Sequence, residues 1–177
     1  SFDPQKMQAI LDGPTAPIKL AVRNLLKDPF FHVGIMRDKE EHRCRILEMV
    51  RALAQQGHGA LSYPVGVGGK ADIVGNIAAF QTFACHDLSM TIKFGVQFGL
   101  FGGAILHLGT EHHHRRYLPL VGRAELLGCF AMTETGHGSN VKELETTATY
   151  DHATRSIVVN TPNELAKKEY IGNAAVH

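Results

Sequence analysis

The chain has 177 residues, of which 44% are hydrophobic and 20% charged, a composition typical of a soluble globular protein of one domain or slightly more. Its 18 basic and 17 acidic residues give a formal net charge of +1, which argues against a nucleic-acid partner because such proteins usually carry a basic excess. Three distant cysteines with no CxxC pair argue against a disulfide framework or a structural zinc site, and favour a reducing compartment.

Hydrophobic spacing predicts helices through the first two thirds of the chain. Gly13-Pro14 interrupts the first helical stretch, Asp38 is a candidate N-cap for the next, and Gly57 ends it and opens a glycine-rich loop to Lys70. The apolar stripe of that second helix consists of Ile46, Leu47, Val50 and Leu53. The predicted helices cover residues 4–27, 38–57, 72–85, 87–108 and 110–119.

The longest apolar stretch runs from Phe94 to Leu108, in a helix whose candidate N-cap is Asp87 or Ser89. It is shorter than the roughly 20 residues of a membrane-spanning helix, so no membrane span is expected. We expect a helix buried inside protein and approached closely by another helix at Gly99, Gly102 and Gly103. Phenylalanines at helical spacing, expected in the core, are Phe80, Phe83, Phe94, Phe98 and Phe101.

The pattern changes at Glu125. Apolar and β-branched runs predict strands at 126–132, 146–150, 156–161 and 169–174, the middle two forming a hairpin over 145–161. Helices followed by strands predict two domains, residues 1–124 and residues 125–177. Because the second part is small for an independent sheet, we expect it to be the beginning of an incomplete β domain in a longer protein.

The segment from Cys129 to Asn140, Cys-Phe-Ala-Met-Thr-Glu-Thr-Gly-His-Gly-Ser-Asn, is the most informative part of the sequence. A turn with two glycines, a threonine and a serine follows an apolar run, and exposed amides and hydroxyls there suit a planar cofactor with a phosphate tail. The spacing does not match GxGxxG, because Val141 replaces the third glycine, nor GxSxG, nor a P-loop. On spacing alone, a structural turn is the simpler interpretation.

The motif Met132-Thr-Glu-Thr-Gly-His-Gly-Ser-Asn140 resembles the flavin-binding signature of the acyl-CoA dehydrogenase and oxidase superfamily, and is most similar to its oxidase branch. Tyr170-Ile-Gly-Asn-Ala-Ala175 is similar to the family's second flavin-contacting segment, and Tyr117-Leu-Pro119 to the end of its helical domain. The resemblance implies an α+β fold, with an N-terminal α-helical domain followed by the first strands of a β-barrel-like middle domain.

The resemblance also implies roles for particular residues. FAD would be held by Thr133, Ser139, Tyr170, Ile171 and Gly172. Within this set, Thr133 would bond the reactive ring, Ser139 would contact the pyrophosphate and lie near bound acyl-CoA, and Gly172 would let the backbone approach the flavin. The family's catalytic Glu lies in a C-terminal helical domain, expected beyond residue 177 and absent from this chain. We therefore assign no catalytic residue, and expect this chain alone to be inactive.

The implied function is that of an FAD-dependent acyl-CoA oxidase, which desaturates fatty acyl-CoA to trans-2-enoyl-CoA and reduces oxygen to hydrogen peroxide in fatty acid β-oxidation. The alternatives are a dehydrogenase that uses an electron-transfer flavoprotein, a non-enzymatic helical interaction module, and a hydrolase with Ser139 as nucleophile. The full-length family members are usually dimers or tetramers. Since Asp3, Gln5 and Lys6 interrupt any apolar leader, we expect a cytoplasmic protein, or a peroxisomal one in a eukaryote.

Two other polar groups invite functional interpretations. His112, His113 and His114 are consecutive on a predicted helix and point in three directions, so no metal site is expected there. Glu134 follows Thr133 on an extended segment, where neighbouring side chains point to opposite faces. If Thr133 faces a flavin, Glu134 faces away from it, and a structural ion pair or hydrogen bond is expected. His137, between two glycines, is expected to orient the backbone.

Overall fold

The structure is a computed structural model and describes residues 2–174. In these residues, seven α-helices are followed by one β-hairpin. The helices are α1 (Pro4–Asp12), α2 (Ala16–Leu25), α3 (Lys39–Gln55), α4 (Ile73–Ala84), α5 (Leu88–Phe94), α6 (Gly102–Leu108) and α7 (Glu111–Gly122). The hairpin pairs β1 (Thr147–Asp151) with β2 (Ser156–Asn160) in antiparallel order. This order of elements confirms the predicted α+β class.

Aspartate side chains cap the N-termini of α3 and α5, as the sequence predicts. Asp38 accepts hydrogen bonds from the amides of Glu40 and Glu41, at 2.8 and 2.9 Å. Asp87 accepts one from the amide of Met90 at 2.7 Å. These bonds satisfy first-turn amides that have no partner within the helix. The predicted cap at Asp38 is confirmed, and Asp87, not Ser89, caps α5.

Helices α2, α3, α4 and α5 enclose the main hydrophobic core. The predicted stripe on α3 is confirmed, because all four of its side chains are buried. Phe83 of α4 is fully buried, and its ring centroid lies 5.1 Å from that of Phe94. Phe94 in turn packs at 4.6 Å from Phe98. Phe80 lies at the edge of this cluster and keeps 36% of its surface exposed.

A continuous helical segment, Leu88–Leu108, joins α5 to α6. Its middle part, Gly95–Phe101, is wound as a π-helix, a rare form that occurs frequently at functional sites. The segment has 21 residues and is long and apolar enough to cross a membrane, although buried core helices share this property. The apolar stretch Phe94–Leu108 is the C-terminal part of this longer segment, and a single segment of this kind is weak evidence for a membrane span.

Tyr63 forms a second, smaller core with Leu118 and Val121 of α7. Its ring is 1% exposed, and its hydroxyl donates a hydrogen bond to the carbonyl oxygen of Phe98 at 2.8 Å. Burial raises the pKa of this hydroxyl, so the group keeps its proton and remains a donor. The bond ties the loop after α3 to the π-helical segment.

Glycine allows the long helical segment to approach Tyr63 at one position. A Cβ on Gly102 would lie 1.8 Å from the Tyr63 hydroxyl oxygen. A Cβ on Gly99 or Gly103 would meet nothing within 4 Å. The expected close approach is confirmed at Gly102, where Tyr63, from the loop after α3, makes the contact. The same expectation was wrong at Gly99 and Gly103.

Residues 126–132 do not form the predicted strand. The buried side chain of Gln97 bonds two backbone groups at the start of this run. Its Nε2 donates to the carbonyl oxygen of Leu126 at 2.8 Å, and its Oε1 accepts from the amide of Gly128 at 3.1 Å. A side chain thus satisfies two of the backbone groups that a pairing strand would otherwise bond.

Residues 169–174 do not form the other predicted strand either. Tyr170 and Asn173 adopt φ values of +57° and +63°, in the left-handed region, which interrupts an extended strand. Just before this segment, Lys168 forms an isolated antiparallel bridge with Glu134.

The predicted hairpin is confirmed, with Tyr150 opposite Ile157 and Ala148 opposite Val159. Directly opposed residues share a face of the ribbon, so these four side chains form one apolar face. That face is not covered by the described residues: Tyr150, Ile157 and Val159 are all more than half exposed. Helix α7 ends at Gly122, near the expected boundary, and the division into domains 1–124 and 125–177 stays a prediction.

Candidate functional site

The turn that contains Thr133 lies beside the segment that leads into the second motif. The amide of Glu169 donates to the carbonyl oxygen of Thr133 at 3.2 Å, and the amide of Thr135 donates to the carbonyl oxygen of Lys167 at 2.9 Å. The amide of Gly136 continues this antiparallel contact. Thr133 is half-buried at this junction. Two pieces of chain about 35 positions apart thus meet, and the second of them ends at Glu169, one residue before the second motif begins.

A tight turn follows Thr133. The amide of Glu134 donates to the carbonyl oxygen of His137 at 3.0 Å, and the amide of His137 donates to the backbone carbonyl oxygen of Glu134 at 3.1 Å. A Cβ on Gly136 would lie 3.1 Å from the Cβ of Leu165, so a larger residue would crowd the second segment. By contrast, a Cβ on Gly138 would meet nothing within 4 Å, and Ser139 is exposed. The end of the turn therefore presents open backbone to a ligand.

Glu134 is the most enclosed polar residue of this region, with 1% of its surface exposed. Its Oε1 accepts bonds from the Thr146 amide (2.9 Å), the Thr146 hydroxyl (2.6 Å) and the Lys168 ammonium (3.0 Å). Its Oε2 accepts one from the amide of Glu145 at 2.9 Å. We call these four residues the Glu134 cluster. The expected ion pair and hydrogen bonds of Glu134 are confirmed.

His137 extends the same region. Its Nε2 lies 3.1 Å from Oε1 of Glu145, whose Oε2 accepts a bond from the side chain of Asn163 at 2.6 Å. The His137 ring thus contacts the start of β1 while its backbone closes the turn. This supports the expectation that His137 orients the backbone.

Acid should weaken the Glu134 cluster over a defined range of pH. Burial would raise the pKa of Glu134, but hydrogen bonds from Glu145, Thr146 and Lys168 outweigh burial and hold the pKa at about 2, below the usual 4.5. Because the folded-state pKa is the lower one, the carboxylate stabilises the fold above pH 4.5, and this contribution is lost as the pH falls towards 2.

We therefore expect the urea midpoints of wild type and Glu134→Gln to differ near neutral pH and to converge between pH 4.5 and about 2. Circular dichroism during urea unfolding at stepped pH measures this. Glu143→Gln, at an exposed carboxylate in the loop before β1, should follow wild type throughout. A difference that stays constant down to pH 2 would contradict the assignment.

The segment with Ile171 and Gly172 lies against α5 and not against the turn. The Lys93 ammonium donates to the side-chain oxygen of Asn173 at 3.2 Å, and a Cβ on Gly172 would lie 3.6 Å from Val96. Burial, with further contributions from Arg43 and Arg51, lowers the pKa of Lys93. The groove here has a volume of about 440 Å³. Sequence reasoning missed Lys93, since only the tertiary contact with Asn173 reveals it.

Tyr170, one of the predicted cofactor contacts, lies at the surface. Its side chain is 90% exposed, and its backbone is left-handed. The ring is therefore available to a ligand or to further protein, but packs against nothing substantial in the described residues. Ala175, the last residue of the second motif, lies outside those residues.

An apolar cleft of about 430 Å³ opens beside the π-helical segment. Phe80, Phe94 and Phe98 form much of its wall, together with Gly95 and Leu100. A Cβ on Gly95 would lie 3.2 Å from the Phe80 ring, so glycine keeps the wall close. A cleft with this apolar lining suits an aliphatic chain.

The histidine run contributes to helix α7 instead. Nδ1 of His113 accepts a hydrogen bond from the Thr110 amide at 3.0 Å, which helps to begin the helix. Among residues 2–174, no three side chains of metal-binding type converge.

Comparisons with known proteins agree on one family. Residues 18–125 match the family described as acyl-CoA dehydrogenase, N-terminal domain. Peroxisomal acyl-coenzyme A oxidase 2 of Arabidopsis thaliana is 50% identical over 100 residues, covering 56% of this chain and 14% of the relative. Acyl-coenzyme A oxidase 3 of Yarrowia lipolytica is 37% identical over 162 residues, covering 89% of this chain and 22% of the relative. The chain thus spans less than a quarter of either relative.

Solved structures show the same fold. Acyl-CoA oxidase 3 of Yarrowia lipolytica superposes with a TM-score of 0.75 at 34% identity, covering 98% of this chain and 25% of that one. An FAD complex of an acyl-CoA dehydrogenase from Bacillus anthracis gives 0.70 at 20% identity, covering 90% and 27%. The helical part and the hairpin therefore occur together in known structures.

Proposed function

Because the chain belongs to the acyl-CoA dehydrogenase N-terminal domain family, we propose that it is part of an FAD-dependent acyl-CoA oxidase. The substrate is a fatty acyl-CoA and the product the trans-2-enoyl-CoA, with oxygen reduced to hydrogen peroxide. The oxidase identities of the similar relatives support oxygen as the acceptor. The alternative acceptor is an electron-transfer flavoprotein. In a eukaryote, the peroxisomal names of the Arabidopsis relatives support that compartment.

The observation that carries this proposal is the set of backbone hydrogen bonds between the Thr133 turn and the Leu165–Glu169 segment, which leads directly into the second motif at Tyr170. The open backbone at Gly138 and the exposed Ser139 leave room for a phosphate-bearing cofactor. FAD, when bound, supplies the two-electron oxidation by accepting hydride from the substrate β-carbon. In this proposal Thr133, Ser139, Tyr170, Ile171 and Gly172 hold FAD.

This chain would contribute positioning and enclosure, without the catalytic base. Thr133 would orient the flavin ring, and Ser139 would contact the cofactor phosphates near the bound acyl-CoA. The apolar cleft beside Phe94 would take part of the acyl chain and keep water from it. The carboxylate that removes the α-proton would come from a helical domain beyond residue 177, in a protein that assembles as a dimer or tetramer.

Purification of the complete open reading frame that contains this sequence tests the proposal. We expect a yellow protein with the flavin absorption spectrum, which forms peroxide when a long-chain acyl-CoA is added. Colourless protein that takes up no added FAD would overturn the assignment. A yellow protein that forms no peroxide but reduces an electron-transfer flavoprotein would instead establish the dehydrogenase alternative.

Replacement of Thr133 by valine should weaken FAD binding. Valine keeps the shape of threonine but removes the hydroxyl, and the loss of one hydrogen bond of about 1 kcal/mol corresponds to a rise of roughly fivefold in the dissociation constant. FAD titration by fluorescence measures it. Thr135→Val, two positions away with its hydroxyl directed to the Lys167 carbonyl oxygen at 3.3 Å, is the control. Equal affinities for both variants would refute the role of Thr133.

A further inference from the structure

Glu134 connects three separate parts of the chain through one carboxylate. It lies in the turn that follows Thr133. Its carboxylate accepts hydrogen bonds from the amides of Glu145 and Thr146, which precede β1, and forms an ion pair with Lys168 of the 165–169 segment. Each of these groups donates a proton to a carboxylate oxygen. An uncharged amide at this position would place its own NH₂ group against a donor, so glutamine cannot replace the full set of contacts.

The backbone next to Thr133 is held equally firmly. The peptide unit between Thr133 and Glu134 has its carbonyl oxygen bonded to the Glu169 amide at 3.2 Å and its N–H bonded to the His137 carbonyl oxygen at 3.0 Å. One rigid peptide plane is thus fixed from both sides. Its orientation sets the direction in which the Thr133 side chain leaves the backbone.

Lys168 links the carboxylate to this backbone. Its ammonium donates to Oε1 of Glu134 at 3.0 Å and to the carbonyl oxygen of Met132 at 2.9 Å. The two acceptors flank Thr133 in sequence. Loss of the Glu134 charge would therefore release the ammonium and loosen the backbone on both sides of Thr133.

We propose that Glu134 is a positioning residue for the cofactor: its buried carboxylate fixes the Thr133 backbone against the 165–169 segment, and so sets the affinity and reduction potential of bound FAD. This inference rests on the proposed function of the Thr133 turn. Glu134 does not touch the cofactor, since its carboxylate is buried among the other three residues of the Glu134 cluster. It acts through the peptide that it shares with Thr133.

The test compares wild type, Glu134→Gln, Thr146→Val and the control Glu143→Gln, each expressed from the complete open reading frame. Because Glu134 acts through Thr133, its replacement should cost at most about what loss of the Thr133 hydroxyl costs, so we expect the FAD dissociation constant of Glu134→Gln to rise by up to roughly fivefold. The reduction potential of FAD bound at saturation should shift as well. Glu143→Gln should match wild type in both measurements.

The outcomes separate this inference from the proposed function. Wild type that binds no FAD defeats both. Wild type that binds FAD, with Glu134→Gln unchanged in affinity and potential, defeats the positioning role alone. If Glu134→Gln does not fold, Thr146→Val decides, because it keeps the carboxylate and removes only the hydroxyl contacts, at 2.6 Å with Glu134 and at 3.3 Å with the Ala166 carbonyl oxygen. A raised dissociation constant and shifted potential in that variant support the role, and wild-type values overturn it.

Discussion

Alanine at position 102 is expected to lower the free energy of unfolding by about 2 kcal/mol, because overpacking and a lost hydrogen bond outweigh the gain in helix propensity. The new Cβ would lie 1.8 Å from the hydroxyl of Tyr63. That ring is 1% exposed, and its hydroxyl is committed to the Phe98 carbonyl oxygen. The ring therefore cannot withdraw without losing this bond. Urea unfolding followed by circular dichroism measures the change.

The neighbouring glycine provides a control of opposite sign. Gly103 lies in the same helix, and a Cβ there would meet nothing within 4 Å. Gly103→Ala should therefore stabilise the protein by about 0.5–1 kcal/mol through helix propensity alone. Tyr63→Phe should cost stability in the wild type, but recover part of the loss in Gly102→Ala, since it removes the atom that clashes. Equal effects at positions 102 and 103 would be inconsistent with this packing.

Truncation of Phe83 to alanine is expected to cost about 3–5 kcal/mol, the range for large aromatic side chains in a core. Phe83 has no exposed surface, and its ring packs between His58 and Phe94, with centroids at 5.5 and 5.1 Å. The surrounding helices belong to the main core, so the cavity would be enclosed. A marginally stable domain would lose a large part of its stability.

Phe80 is the matched control for this prediction. It lies on the same helix and also faces Phe94, with ring centroids 6.2 Å apart, but 36% of it is exposed. Phe80→Ala should cost about 1–2 kcal/mol, because less apolar surface is returned to water. Urea midpoints of the two variants give the comparison. If Phe80→Ala proved as costly as Phe83→Ala, the described burial of the two rings would be wrong.

Local sequence signals predicted the helical part well. Asp38 and Asp87 mark helix starts because a short carboxylate can reach first-turn amides, and this requires only neighbouring residues. The α3 stripe follows from helical periodicity in the same way. The family resemblance, which was drawn mainly from motifs between Cys129 and Ala175 together with Tyr117-Leu-Pro119, is confirmed by a match over residues 18–125.

The errors arose where distant residues decide the structure. A continuous apolar run such as 126–132 does not distinguish a strand from an extended segment against helices. Gln97, 29 and 31 positions away, bonds Leu126 and Gly128, and no local pattern reveals these contacts. Near Gly172, the left-handed residues Tyr170 and Asn173 replaced the expected strand. The same limit hid the contact of Lys93 with Asn173.

Within the candidate site, the motif located Thr133 but not the surroundings that hold it. The interpretation of Glu134 as a structural group needed only the alternation of side chains along an extended segment. Its partners at Glu145, Thr146 and Lys168 lie 11 to 34 positions away and emerge only from the fold. Recognition of the family therefore gave the location, and tertiary structure gave the supporting contacts.

The hairpin should make the isolated polypeptide prone to aggregation. One face of the hairpin exposes the apolar side chains of Tyr150, Ile157 and Val159. The outer edges of its two strands have no partner among the described residues. Such edges can template intermolecular sheet growth, which charged or proline residues would normally discourage. At high concentration the chain should self-associate through 147–160, and a lysine in place of Val159 should improve its colloidal behaviour without touching the helical core.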